Sequence, residues 1–518
     1  MKRLLLFFRS RGRVLFASTL LVAFVVDVLG SFQLTDRLDA VSYDILSNIL
    51  APTYGLDHPK KRFAQNKITV LLVSQQTLEN IVGTDRWPPN YSAEADFAEW
   101  AARDHPAAIF LDFYYPFARR VERNEATVTA FSGQPVSVAH EEGKDVAGIN
   151  ELGRRLKRIA GLNEDPNENA KTPIPVFIGP VGTDPDLGGL RNLHQVGLEF
   201  SNLPRSEYPV WHEVTDAKRN KSAIPQAAFA LYHIMCPDDQ KGCVKDIERT
   251  VSGWEPSFAQ ATPSIKLASL AIEWGSGASA KITALGDDLA RDYPDIGGPM
   301  GTPLVPRDCR PGKSGLLLDI KRILTGLAPV YFPPNRNQRC LYTDAFPIDW
   351  LQSAPPGFKS EDYLKDRAVL IGADLSYLAD DRIETPTGVI PGVLAHAMAL
   401  DNLLQRGARA ARYTSPLPWL GQMTARDLGE LLLVPLGAFF MFLTDKMLKR
   451  TYREGQVPGH VWWPIQLLVA IAVPAGLAVM LYRLAIWPSA NVLWIALLGG
   501  WSLFLLAGDF RGEPDKDV

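Results

Sequence analysis

The chain carries almost no net charge: 54 Lys and Arg stand against 57 Asp and Glu, a formal −3 over 518 residues. Without a basic field it lacks the electrostatic footprint of a nucleic-acid binder, and no nucleic-acid partner is expected. Cysteine is scarce as well, at four residues, Cys236, Cys243, Cys309 and Cys340. No C-x-x-C spacing or paired histidine accompanies them, which argues against a zinc site. The sequence has no G-x-S-x-G elbow. Gly312-Lys-Ser resembles the end of a P-loop, but the required upstream glycine position is Arg307. His140-Glu-Glu is one histidine beside two acids in a charged loop, a pattern of solvated surface more than of a metal ligand set. No internal repeat is evident. These absences leave no predicted catalytic residue, metal or cofactor.

Long apolar runs, by contrast, are present and unevenly placed. One covers residues 14–30, and three follow far downstream at 428–445, 462–482 and 486–508. A helix rises about 1.5 Å per residue, so roughly 20 apolar residues cross the hydrocarbon core. The last two runs contain no charged residue; the first holds Asp27, and the second holds Glu430 and ends on Asp445. Between the first and second lies a polar region, 32–427, large enough for one core or two lobes.

Basic residues in the short segments set the expected orientation. Lys2, Arg3, Arg9, Arg11 and Arg13 precede the first run, and Lys446, Lys449, Arg450 and Arg453 fall in the 446–460 loop after the second. Residues 1–13, the loop and the 509–518 tail are therefore expected to be cytoplasmic, with region 32–427 outside a bacterial inner membrane. Arg406, Arg409 and Arg412 run against this pattern, but long domains translocate largely regardless of charge. A cleaved signal peptide is the alternative for the first run, although Val28-Leu29-Gly30 is a poor small-residue site. All four cysteines would then face an oxidising compartment. An even number there reads as two disulfides, Cys236 with Cys243 and Cys309 with Cys340, the alternative being free buried thiols.

Within the outer region, apolar runs at 68–73, 107–113, 175–179, 330–332 and 368–372 read as buried strands of a largely parallel sheet. Helical spacing at 93–103, 146–159 and 391–404 supplies helices to flank it. The alternation at 68, 93 and 107 is a βαβ unit, so the expected class is α/β plus four transmembrane helices. Residues 117–142 and 286–314, rich in Gly, Pro and charge, are expected as surface insertions.

Three stretches carry a family resemblance. The first is Asp39-Ala-Val-Ser-Tyr-Asp-Ile-Leu. The second is Ile68-Thr-Val-Leu-Leu-Val, then Trp87-Pro, then Ala108-Ile-Phe-Leu-Asp112-Phe. The third runs from Ala368-Val-Leu-Ile-Gly-Ala-Asp374 through Asp381-Arg-Ile-Glu-Thr385-Pro386 and Pro391-Gly-Val-Leu-Ala-His396-Ala to Asp401-Asn-Leu-Leu. Together they resemble the second type of CHASE domain, the cyclase- and histidine-kinase-associated extracellular sensory modules of bacteria. The resemblance fades between residues 118 and 330. It implies a sensory module signalling across the membrane, usually into a fused output domain. This chain reaches Val518 without one, so the expected output is a separate cytoplasmic or membrane protein.

The sequence's best ligand-site candidates are Trp87, Asp112, Asp374, Asp380, Asp381, Thr385 and His396. Asp374 directly follows a buried strand, where α/β sheets commonly bind ligands. The competing reading is structural: Asp381 and Thr385 cap turns, and His396 packs in the closing helix. Asp27 and Glu430 near the outer span ends, with Arg426 and Arg483 at similar depth, are candidate coupling pairs, or each snorkels to the interface. The expected partners are the lipid bilayer, an unknown extracytoplasmic ligand or protein and the output protein, with a homo-oligomer left open. The competing function is an envelope scaffold or assembly subunit with no signalling role.

Overall fold

A computed structural model describes residues 54, 64–83, 87–119, 144–163, 167, 170–198, 207–215, 221–235, 269–272, 274, 275, 279, 281–285, 342–375, 378, 382–385, 388–406 and 412–413. The four expected spans lie outside these residues, as do Asp27, Arg426, Glu430, Arg483, Asp380, Asp381 and the four cysteines. Among the described residues no helix is long and apolar enough to cross a membrane.

In chain order the strands begin β1 (Ile68–Ser74), β2 (Ala108–Leu111), β3 (Val176–Ile178), β4 (His194–Gln195), β5 (Glu207–Pro209), β6 (Trp211–Thr215) and β7 (Lys221–Pro225). They continue with β8 (Ser269–Ala271), β9 (Asp344–Pro347), β10 (Ala368–Asp374), β11 (Arg382–Thr385), β12 (Gly388–Pro391) and β13 (Arg412–Tyr413). The longer helices are α1 (Tyr91–Ala102), α2 (Val146–Ala160), α3 (Ala227–Met235) and α4 (Gly392–Arg406).

Six strands form the central sheet in the order β4-β3-β2-β10-β1-β9, and every neighbouring pair is parallel. Side chains alternate across it, as the strand period requires. Ile68, Val70, Leu72, Ala108, Phe110, Ala368 and Leu370 enter one apolar layer with α3 and α4. Leu71, Val73, Ile109, Leu111, Val369 and Ile371 enter the other with α1 and α2. The sheet is thus buried on both faces, which is why these strands read as unbroken apolar runs. The β6–β7 and β11–β12 hairpins and a β13-β8-β5 sheet are antiparallel additions.

Local chemistry sets the helix ends. The Asn90 side chain accepts from Ala93 N–H to start α1, and Asp145 accepts from Gly148 N–H to start α2. Helix α2 ends at Gly161, whose φ of 70° is the left-handed cap that glycine adopts without penalty. Arg155 bridges to Glu99 at 2.6 Å and Asp96 at 2.5 Å across the α1–α2 seam, and Arg158 also pairs with Glu99. Such partly exposed pairs contribute about 0–1 kcal/mol each, whereas one fully buried Leu or Phe contributes about 1.5–3 kcal/mol. The apolar layers therefore hold the helices, and the ion pairs set their register.

At the N-terminal ends of the strands, Arg367 Nη1 meets Asp344 Oδ2 at 2.7 Å, both groups buried. The Ser279 hydroxyl donates to Asp344, the Thr69 hydroxyl to the Tyr363 carbonyl, and Arg367 Nη2 to the Asp362 carbonyl at 3.1 Å. This network clamps β1, β9 and β10 at the sheet edge away from the crevice described next.

Candidate functional site

The chain leaving β1 and β2 runs to α1 and α2 on one face, while the chain leaving β10 runs through β11 and β12 to α4 on the other. Because β10 lies between β1 and β2, its C-terminal edge is where the connections diverge, the place where open α/β sheets receive ligands. Asp112 immediately follows β2, with its N–H on the Ile371 carbonyl at 2.8 Å. Asp374 closes β10 opposite Ser74, the last residue of β1. By strand alternation Asp112 and Asp374 continue the series facing α4.

The start of α4 lies directly on β10. A Cβ at Gly372 would stand 2.6 Å from Val393 Cβ, so only glycine permits this approach. One turn on, His396 is buried between the layers. Its Nδ1 shares a hydrogen bond with the Tyr208 hydroxyl at 2.7 Å, and the same tyrosine oxygen accepts from Ala228 N–H at 2.9 Å. Nε2 faces Asp112 Oδ1 at 3.8 Å. The rings of Phe110 and Tyr208 both stand edge-on to the imidazole at 5.4 Å. Burial holds the imidazole down to about 3, so it is neutral, and burial drives the Tyr208 phenol well up. A row of polar groups thus runs from the crevice at Asp112, through α4, to the first turn of α3.

A second polar cluster sits on the opposite face. Glu94, fully buried on α1, pairs with Arg119 Nη1 at 2.5 Å and accepts the Tyr115 hydroxyl at 2.9 Å. Arg119 lies 4.5 Å over the Tyr91 ring, its N–H donates to the Tyr91 oxygen at 2.9 Å, and its guanidinium donates to the Pro89 carbonyl at 2.5 Å. Burial pushes the Glu94 carboxyl up and Arg119 draws it back. Trp87 joins through Phe113, ring centroids 5.1 Å apart, beside a cis Trp87–Pro88 bond.

Of the residues singled out in the sequence, Asp112 and His396 are brought together and Asp374 shares their edge. Trp87 belongs to the opposite face. Thr385 ends β11, paired with Gly388 across the hairpin. His396 packs inside the closing helix, as the structural reading expected. From residue 120 onward the expected insertion 117–142 lies outside the described residues. Ala118 is buried, and the Arg119 carbonyl accepts from Asp145 N–H at 2.8 Å. Glu94, Arg119, Tyr115 and Tyr208 were not singled out in the sequence. For Glu94 a signal existed: it lies three residues from both Tyr91 and Phe97 on the apolar face of α1, where an acid needs a partner. Tyr208 had none, since its role depends on a contact 188 residues away.

Among the described residues no group of three or more His, Cys, Asp or Glu is placed to hold a metal ion. The C-terminal edge of β10 instead brings Asp112 and Asp374 to one switch point with the buried His396 imidazole behind Asp112. The chain belongs to the CHASE2 domain family, matched over residues 18–439, a family of extracellular sensory domains. No curated protein and no solved structure matches the chain.

Proposed function

We propose that this protein is a membrane-anchored extracytoplasmic sensor that passes a ligand- or partner-induced shift through its membrane helices to a separate output protein. The observation that carries this reading is the double engagement of α4. Its first half holds His396 against Asp112 at the crevice. Its second half holds Asp401, Asn402 and Gln405 against Tyr54 and Ala64, residues of the segment that precedes β1. One helix of 15 residues, about 22 Å long, therefore touches both the candidate ligand edge and the segment that follows the first expected span, and its own C-terminus leads towards the second. Crevice occupancy that prefers one packing of α4 would bias the other end of the same helix. The basic 446–460 loop is the surface an output protein would read, with Asp27, Glu430, Arg426 and Arg483 as span-level couplings.

Crosslinking in native membranes, followed by mass spectrometry of the proteins retained, tests this. The parent chain should capture a cytoplasmic enzyme, and a variant with reversed charges at Lys446, Lys449, Arg450 and Arg453 should lose it. Envelope proteins captured equally by both would replace the sensor with a scaffold.

A further inference from the structure

Tyr54 packs against the second half of α4 and is only 4% exposed. Its hydroxyl donates to Asp401 Oδ1 at 2.7 Å and accepts from Asn402 Nδ2 at 2.9 Å. Asn402 is itself held in place by donating to the Met398 carbonyl at 2.9 Å. The ring stands edge-on to Tyr342 at 5.2 Å. The slot exists because residue 275 is glycine: a Cβ there would lie 2.4 Å from the Tyr342 ring and 2.8 Å from the Tyr54 ring. A second tie follows close by. Ala64 N–H donates to Gln405 Oε1 at 3.3 Å, and Gln65 Nε2 donates to the Tyr342 carbonyl at 2.5 Å. The segment before β1 is thus fastened to the last turns of α4 across more than 340 residues of sequence.

The chemistry of this joint differs from the apolar layers above it. A ring in a glycine-lined slot, fixed by a carboxylate and an amide, gives one geometry when inserted. When withdrawn it leaves polar groups that water can satisfy, so both states are accessible. An apolar anchor of the same size would lack that second state. We propose that Tyr54 is a reversible plug joining the segment before β1 to the C-terminal half of α4, and that its withdrawal is the step by which the domain signals. The plug rests on the contacts alone; its signalling role rests on the sensor reading above.

The two parts separate experimentally. Hydrogen exchange by mass spectrometry on the full chain in lipid nanodiscs compares the parent with Tyr54→Phe, which keeps the ring and removes both hydroxyl bonds, and with Asp401→Asn. Amides of 64–70 and 398–405 should exchange about tenfold faster in both variants, with α1 and α2 unchanged. Unchanged exchange at 64–70 and 398–405, or equal acceleration throughout, overturns the plug. The yield of output protein captured from membranes should then differ at least threefold between parent and Tyr54→Phe. Faster local exchange with equal capture overturns the signalling role and leaves the plug as an anchor.

Discussion

His396 shows how burial decides a residue's chemistry. An ordinary imidazole titrates near 6.5, whereas this one is held down to about 3 by its loss of solvent. The unfolded chain takes up a proton near 6.5 and the folded chain does not, so stability contributed by the neutral ring is complete above that pH. It falls as the pH drops from 6.5 towards 3, by about 1.4 kcal/mol per unit at most. Protonation would also place an imidazolium beside the Asp112 carboxylate. Urea midpoints at pH 8, 7, 6 and 5 should therefore fall more steeply for the parent than for His396→Gln, which cannot titrate. Parallel curves would show that His396 does not set the acid limit. The sequence marked Asp112 and His396 separately but not their pairing, because neither the strand order nor Tyr208 can be read from local pattern.

Elements were legible in proportion to their periodicity. β1, β2, β3 and β10 are apolar runs, and α1, α2 and α4 keep helical spacing, so each stands within about two residues of its expected place. β9, Asp-Ala-Phe-Pro, carries a proline, which sheets confine largely to their edges, and a buried acid, and together they hide a strand in the sequence. β4 is two residues long and gives no pattern at all. At this scale the decisive contact is α4 on β10. Gly372→Ala should drive Val393 and the start of α4 off the strand, costing about 1–3 kcal/mol. Gly188, where an added Cβ meets nothing within 4 Å, is the control, and Gly188→Ala should leave the melting temperature within about a degree or two. Equal melting temperatures for both variants would mean that α4 yields freely at its N-terminus.

For the whole molecule, the family assignment and the parallel sheet agree on an extracellular sensory domain of α/β class. The membrane arrangement rests on sequence and is tested by fusion reporters. Alkaline phosphatase joined within 207–235 should be active, and a fluorescent protein placed at the N-terminus, in 446–460 or after Val518 should fluoresce. Phosphatase activity from the 446–460 position would reverse the orientation and remove the proposed cytoplasmic reading surface.

The position of β10 has a consequence for how such a domain is made. β1 and β2, close in sequence, are not neighbours in the sheet; the strand that fills the space between them pairs Ile68 with Ala368 and Ala108 with Ala368. Until that late segment emerges, the early half of the chain holds two apolar edges with no mate. Contacts of such long separation are slow to form, and open strand edges invite wrong pairings meanwhile. Export therefore has to deliver nearly the whole outer region before its centre can close, and a chain stalled short of β10 would present aggregation-prone ribbons to the compartment it is meant to sense.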